Sequence, residues 1–178
     1  FWTMGTVTKV LAFDSSSSTT GWALLTIPLN TRGKIKLLKF GHFKIKSSVA
    51  KKTRPIPERL VEFGECIEDL IRRHTPTYVA FEEHHISKIK AAKTLFKFMG
   101  VGLGIAYRYT AKEVIELTPR EIRTNIGINW MGRDIAKELV KKEIGKFFNV
   151  KVETDDESDA IALAVAAAGQ VRILEGRE

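Results

Sequence analysis

Four acidic residues occupy positions where a folded protein has little structural use for a charge. Two of them end short apolar runs that predict β-strands, and the other two precede a long apolar stretch and stand three residues apart. Aspartate disfavours strands, and a buried carboxylate is costly unless it is paired or bound to a metal. The four residues are Asp14, Glu82, Asp156 and Asp159.

Carboxylates that are packed together repel one another and raise one another's pKa values. Hard divalent cations remove that cost, since Mg²⁺ and Mn²⁺ prefer oxygen ligands. Two such ions can activate a water and stabilise the leaving oxygen of a phosphodiester. The four acids therefore indicate metal-dependent phosphodiester hydrolysis, provided that the fold brings them together.

The segments around the first two acids predict neighbouring strands. Residues 7–14 and 21–27 are the apolar arms of a hairpin with a Ser/Thr turn between them. A helix from about Glu58 to His74 then leads to the run that ends at Glu82. A strand, a crossover helix and a second strand usually form a parallel unit, so both acids should emerge at the same edge of the sheet.

The last two acids belong to the start of a helix that includes residues 160–168. We expect Asp155 to be its N-cap, which puts Asp156 and Asp159 on one face of the first turn. The helix dipole is sufficient to explain Asp155 and Glu157. Asp155 and Asp156 both stay open as the third ligand, because a one-residue shift at a helix start is within ordinary boundary error.

The segment from Lys34 to Lys46 alternates lysine with apolar residues, which predicts a half-exposed strand. Lysines on an edge strand guard against aggregation at least as often as they bind DNA. We expect residues 47–54 to be a basic, polar linker between this strand and the next helix.

Residues 88–109 predict a long helix with two stripes, one apolar and one basic. Three glycines alternate within it, and without a preceding strand and a Walker lysine they do not indicate a phosphate loop. Close helix packing is the expected reason for them, and a small-residue face could also serve a dimer. The apolar stripe is Ile89, Ala92, Phe96, Met99 and Leu103; the lysines are Lys90, Lys93 and Lys97; the glycines are Gly100, Gly102 and Gly104.

Composition favours a single compact domain over residues 1–178, with a hydrophobic content of 44%. The net charge of +8 suggests a polyanionic partner, nucleic acid before membrane, and no apolar run approaches the length of a membrane span. The lone Cys66 excludes an intrachain disulfide and a Cys-based zinc site, so a reducing, cytosol-like compartment is expected. Phe1, Trp2 and Thr3 precede Met4 and resemble no secretion signal; we expect them to be a remnant of expression rather than part of the fold.

In their order along the chain, these motifs resemble the RuvC family of Holliday-junction resolvases. The likeness covers roughly residues 7–170 and includes Thr118-Pro119 with the basic turn after it. It rests on Phe13-Asp14 followed by a Ser/Thr loop and Thr20-Gly21-Trp22, on Ala80-Phe81-Glu82, and on Asp156-x-x-Asp159 before Ala-Ile-Ala-Leu-Ala.

The resemblance implies an α/β, RNase H-like fold: a mixed five-stranded sheet flanked by helices. It also implies a homodimer through the helix at about 88–109 and paired nicking of branched DNA such as four-way junctions, in DNA recombination and repair. Two Mg²⁺ ions per site, for which Mn²⁺ can substitute, would bind the four acids. The expected location is the cytoplasm of a bacterial or phage-infected cell.

The resemblance also implies DNA-binding residues. Arg123 approximately matches a basic residue after the Thr-Pro segment, and Arg133 matches the lysine that opens the next helix. Both would contact phosphate near the cut. Arg120 and the lysine stripe of Lys90, Lys93 and Lys97 are the other expected DNA contacts.

The chain departs from the family pattern in two places. Asp14-Ser15-Ser16 replaces the Asp-Pro-Gly of bacterial members, which is typical of divergent phage-type proteins. No DNA-probing aromatic follows the second acid, where His84 and His85 stand instead, so a broader branched-DNA specificity is an alternative to strict four-way-junction selectivity. His85 could help to protonate or orient a reacting group.

Three other functions fit parts of the sequence. Asp-x-Ser-x-x-x-Thr-x-Gly resembles the phosphate loop of actin-like and sugar-kinase ATP-binding proteins, but 178 residues leave no room for their second lobe. A pre-rRNA-processing nuclease of the same fold is the nearest enzymatic alternative. Four retained acids argue against a catalytically silent DNA-binding module.

Overall fold

The computed structural model describes residues 7–28, 33–84, 89–127 and 133–176, and the side chains of 89–91 and 133–136 are outside that description. Five strands form one mixed sheet in the order β3-β2-β1-β6-β7, and two short strands, β4 and β5, form a separate hairpin. The strands are β1 (Val7–Ser15), β2 (Thr19–Pro28), β3 (Lys36–Lys44), β4 (Ser48–Val49), β5 (Lys52–Thr53), β6 (Tyr78–Glu82) and β7 (Ile115–Leu117). The helices are α1 (Ile56–His74), α2 (Ile89–Thr110), α3 (Pro119–Asn125), α4 (Arg133–Phe148) and α5 (Asp155–Glu175).

The opening hairpin and the parallel crossover both form as the sequence predicts. β1 pairs with β2 in antiparallel register, with Asp14 opposite Gly21. After α1, β6 pairs with β1 in parallel register, and Phe13 is aligned with Phe81. The next residue of each strand is therefore Asp14 on one and Glu82 on the other.

The two faces of the sheet contact different helices, because side chains alternate along a strand. Leu11 and Phe13 face the cluster that contains Phe63 of α1 and Phe98 of α2. Val10 and Ala12 face the alanine-rich α5. Asp14 continues the Val10–Ala12 series, so its carboxylate lies on the α5 face of the sheet.

Helix α2 is rotated relative to the predicted apolar stripe. Phe98, Gly102 and Ala106 are buried against the sheet and α1, whereas Phe96 of the predicted stripe is 42% exposed. A Cβ atom at Gly102 would lie 2.8 Å from the Phe81 ring, which explains this glycine by close packing. A Cβ at Gly100 or Gly104 would meet nothing within 4 Å, so the packing explanation is wrong for those two. Met99 of the predicted stripe is buried and Leu103 packs against the core, so the predicted and observed faces overlap and Phe96 is the exposed member.

Two local expectations are corrected by the structure. Residues 47–54 are not a plain linker, because β4 and β5 pair within them. Thr154, not Asp155, is the N-cap of α5: its hydroxyl accepts from the Glu157 amide while the Glu157 carboxylate accepts from the Thr154 amide. Both residue types cap well, but only the pair Thr154 and Glu157 has the spacing of a capping box.

No helix within the described ranges is long and apolar enough to cross a membrane.

Candidate metal and nuclease site

The site lies where β1, β2, β3 and β6 meet the N-terminus of α5. Asp14, Gly21 and His42 are neighbours across three adjacent strands, and Glu82 follows the last β6 residue that is aligned with β1. The α5 N-terminus sits directly over this row, because a Cβ on Gly21 would lie only 1.9 Å from the Asp156 carbonyl oxygen. Glycine at position 21 is therefore required for the helix to come this close.

Glu157 fixes the α5 N-terminus to the edge of the sheet. Its carboxylate lies 3.0 Å from His42 Nδ1 and accepts from the backbone amides of Glu153 and Thr154. The residue is buried, which by itself raises the pKa of the carboxyl, but the bonds from His42, Glu153 and Thr154 bring that pKa below its usual value. The helix dipole is thus not the whole explanation of this residue, since it also bridges α5 to β3.

The four predicted acids come within electrostatic range of one another. Burial raises the pKa of Asp14 well above 3.8, and the nearby charges of Glu82, Asp159 and Asp156 raise it further. Burial also raises the pKa of Asp159, with Asp155 and Asp156 contributing. The cluster therefore stores repulsion that a bound cation would relieve.

Lys137 of α4 places a positive charge inside this cluster. Its Nζ lies 3.7 Å from Asp159 Oδ2 and 3.9 Å from Asp155 Oδ2, and its charge lowers the pKa values of Asp14 and Asp159. Lys137 could not be recognised from the sequence, because α4 carries several lysines and their spacing does not show which of them points at α5.

Asp155 and Asp156 have different surroundings. Asp155 is exposed and has Lys137 and Lys141 within 4 Å of its carboxylate oxygens. Asp156 is half-buried and helps to raise the pKa of Asp14 as well as that of Asp159, to which Asp155 also contributes. This difference favours Asp156 as the third member of the cluster.

The β1–β2 turn is held from inside. The Ser16 hydroxyl donates to the Thr19 carbonyl and accepts from the Thr19 amide. The buried guanidinium of Arg59 donates to the Ser17 carbonyl and lies over the Phe98 ring at 5.4 Å. Arg59 could not be recognised from the sequence, because it belongs to α1 and is 42 residues away from Ser17 along the chain.

The predicted basic residues are placed differently. Lys93, Lys97 and Arg120 are exposed, and Arg123 is half-buried with its Nε donating to the Pro119 carbonyl. The side chains of Lys90 and Arg133 and the whole of His85 lie outside the described residues.

His84 lines a cavity of about 410 Å³ together with Glu83, Phe96, Met99, Leu103 and Glu116. Burial lowers the pKa of the His84 imidazole, although contact with the Ser15 backbone opposes the shift. The His84 side chain, two residues after the second acid, is therefore directed toward the gap between the sheet edge and α2.

The donor set fits a hard divalent cation, because all four acids supply carboxylate oxygens and three of them together raise the pKa of the fourth, Asp14. As they stand, no three His, Cys, Asp or Glu side chains in the described part of the chain are arranged to hold a metal ion. Lys137 supplies part of the neutralising charge instead.

Comparison with known proteins identifies one family. The family model described as "Crossover junction endodeoxyribonuclease RuvC" matches residues 10–167. Two curated proteins of that name are similar: one from Prochlorococcus marinus is 25% identical, with 90% of this chain and 98% of the relative covered, and one from Orientia tsutsugamushi is 28% identical, with 93% and 99% covered.

Solved structures show the same fold. Thermus thermophilus RuvC in complex with a Holliday junction superposes with a TM-score of 0.73 at 19% identity, over 93% of this chain and 96% of that one. The fowlpox virus resolvase in complex with junction DNA gives 0.59 at 14% identity, over 92% and 98%. The RNase H-like architecture that the sequence predicts, a mixed five-stranded sheet flanked by helices, is confirmed.

Proposed function

The chain belongs to the RuvC family of crossover junction endodeoxyribonucleases, and from this premise we propose that it is a metal-dependent endonuclease that resolves Holliday junctions by nicking DNA strands. One observation carries the proposal: the half-buried Asp14 lies among three further acids at the junction of two parallel strands and a helix N-terminus. Repelling carboxylates of this kind are costly to a fold and useful to a metal site.

The four acids are the proposed catalytic and metal-binding residues. Asp14, Glu82, Asp156 and Asp159 would hold two Mg²⁺ ions, or Mn²⁺ in their place. When bound, the ions would activate a water and stabilise the leaving oxygen of the scissile phosphodiester. The chain itself holds the acids in place through the Gly21–Asp156 contact and the His42–Glu157 bridge.

The basic residues would hold the DNA backbone around this acidic centre, because lysine and arginine neutralise phosphate wherever the metal does not. Exposed Lys93 and Lys97 on α2 and exposed Arg120 on α3 are available for such contacts. Lys90, Arg123 and Arg133 complete the proposed set, and His85 is the proposed accessory residue.

A second copy of the chain would bind along α2. Phe96 is 42% exposed where it lines the cavity at the edge of the sheet, beside the buried Met99 and the partly buried Leu103. Two sites related by a dimer would cut two strands of a junction in a paired manner. We treat residues 1–178 as one nuclease domain that acts on DNA in the cytoplasm of a bacterial or phage-infected cell.

The alternatives are not favoured. The family match extends over residues 10–167 and names a DNA endonuclease rather than an ATP-binding or RNA-processing protein. Broader branched-DNA cleavage stays the alternative to strict four-way-junction selectivity, because His84 and His85 stand where the family has its DNA-probing aromatic.

Cleavage of labelled DNA tests the proposal. Purified protein is incubated with four-way, three-way and linear duplex substrates in Mg²⁺, in Mn²⁺ and in EDTA. We expect symmetric nicks in the four-way junction with either metal, weaker cutting of the three-way substrate and none in EDTA. An absence of cutting on every substrate with both metals would refute the nuclease assignment, and hydrolysis of ATP would support the kinase-like alternative.

A further inference from the structure

The residues between β3 and α1 form an exposed basic hairpin beside the proposed site. β4 and β5 pair from Ser48 to Thr53, and the ends are closed by the Arg54 amide, which donates to the Ser47 carbonyl at 2.9 Å. Every residue from 46 to 53 is exposed. We call residues 44–54 the basic arm, since its lysines are Lys44, Lys46, Lys51 and Lys52.

The arm starts at the edge of the sheet that carries the acids. The Ile45 amide donates to the Ser18 carbonyl at 2.7 Å, which joins the arm to the turn that follows Asp14. Lys44 is two residues beyond His42 on β3, so both lie on the α5 face of the sheet. The tip is about five residues beyond Ile45, and since a strand rises about 3.3 Å per residue, it lies at most roughly 16 Å from that contact.

The arm has no acidic residue of its own. From Ser15 to Pro57 the chain contains nine Lys and Arg residues and no Asp or Glu. The next acids along the chain, Glu58 and Glu62, both pair with Arg54, at 2.8 Å and 2.6 Å. Arg54 also donates to the Lys46 carbonyl at 3.1 Å. The guanidinium thus ties the base of the arm to α1 and occupies the carboxylates that would otherwise attract its lysines.

The tip of the arm holds a conformation that its sequence does not favour. Ala50 and Lys51 have φ values of 49° and 63°, in the left-handed region where Gly and Asn are common and a lysine is not. A two-residue hairpin loop requires positive φ at both central residues, and the paired strands beside it are two residues long with exposed side chains. The turn therefore places Lys51 and Lys52 at an exposed tip of the arm.

We propose that the basic arm is a second DNA-binding surface, which contacts the phosphate backbone of a duplex arm within about one helical turn of the cleaved phosphate. Lys44 and Lys46 would contact the DNA backbone beside the acidic centre. Lys51 and Lys52 would extend that contact away from the centre. The inference rests on the proposed function, because its partner is the same DNA. It adds a surface for which the sequence alone predicted only a linker.

Binding of a fluorescein-labelled four-way junction, measured by anisotropy over a series of salt concentrations, tests this surface. Two lysines that contact phosphate contribute about 2 to the slope of log Kd against log salt concentration, so Lys51→Ser/Lys52→Ser should flatten that slope by about 2 and weaken binding by tenfold or more at moderate salt. Lys51→Glu/Lys52→Glu should weaken binding further. The matched control is Lys36→Ser/Lys39→Ser, which removes the same charge from exposed residues of β3 outside the arm. Its affinity and salt slope should stay close to those of the wild type.

An arm variant with the salt slope and affinity of the wild type would overturn the proposal. An equal loss of affinity in the arm variant and the control would also overturn it, because that result would show an effect of net charge alone. The residues are exposed, so thermal melting should show that both variants fold. Failure of the proposed function is a different result: the wild-type protein itself would then neither cut nor prefer branched DNA. A wild type that cuts junctions while the arm variant binds like the wild type refutes only the arm.

Discussion

The ammonium group of Lys137 lies 3.7 Å from the Asp159 carboxylate, so α4 contributes a positive charge to an otherwise acidic centre. The same charge acts on the half-buried Asp14 and on the exposed Asp155. In the metal-free protein this lysine offsets part of the repulsion among the acids. A divalent cation that binds the same carboxylates must compete with it.

Lys137→Met should therefore strengthen metal binding and weaken the metal-free fold. The side chains of the pair are 41% and 26% exposed, so solvent screens their interaction and the expected change is modest: about a two- to fivefold lower Kd for Mn²⁺ and up to about 1 kcal/mol less stability in EDTA. Isothermal titration and urea unfolding measure the two quantities.

Lys141→Met is the matched control for Lys137→Met, because Lys141 pairs with Asp155 at 3.8 Å and also donates to the Glu153 carbonyl. It should leave the Mn²⁺ affinity almost unchanged. Identical affinities in the wild type and both variants would show that Lys137 is only a surface ion pair.

Asp14→Asn should stabilise the metal-free protein at neutral pH while it abolishes metal binding and cleavage. Burial, then Glu82, Asp159 and Asp156, raise the pKa of Asp14 in the folded state above its unfolded value of 3.8. Folding then favours the protonated acid, so stability falls as the pH rises from about 3.8 through the folded pKa. The substitution removes this loss, so Asp14→Asn should be more stable than the wild type at pH 7.

Urea unfolding in EDTA across pH 4 to 8 measures the effect of Asp14→Asn. The wild type should lose stability relative to the variant as the pH increases through this range, and Mg²⁺ should restore it in the wild type alone. Parallel pH profiles for the two proteins would mean that Asp14 does not carry the stored repulsion.

The pairing of Asp14 with Glu82 could be predicted from the sequence, because strand alternation and the parallel crossover leave few alternatives. The Thr154 cap was also within reach, since Thr-x-x-Glu is a local signal. Lys137, Arg59 and His42 could not be found in the same way. Their roles depend on how separate elements are rotated against each other, which local patterns do not specify.

The orientation of α2 shows the same limit. Its sequence is apolar around most of the helix, so the spacing fits both the predicted stripe through Phe96 and the observed one through Phe98. Phe63 and Phe81 decide between them, because they leave room only for Gly102 beside the sheet. That choice is a packing effect among three elements.

Gly21→Ala should displace the α5 N-terminus. The added Cβ would lie 1.9 Å from the Asp156 carbonyl oxygen, so the helix or the strand must shift, at an expected cost of about 1 to 3 kcal/mol. Mn²⁺ affinity should fall as well, since Asp156 and Asp159 move away from Asp14.

Gly169→Ala on the same helix is the control: its Cβ meets nothing within 4 Å, and it should be neutral or slightly stabilising. If both variants melt and bind metal alike, the close approach of Gly21 to α5 has no role in the site.

Phe96→Glu should convert the proposed dimer into monomers. Phe96 is 42% exposed on α2 and lines the cavity with Met99 and Leu103, so a second copy would bury its ring. A carboxylate at this position would have to be desolvated without a partner. Sedimentation velocity at assay concentrations should show a dimer for the wild type and a monomer for the variant.

Phe147→Glu, on a phenylalanine that is 65% exposed on α4, is the control and should remain dimeric. The monomer should nick one strand of a junction without the paired second cut, because a single site remains on the DNA. A wild type that sediments as a monomer, or a dimer that persists in Phe96→Glu, would exclude this face of α2 as the interface.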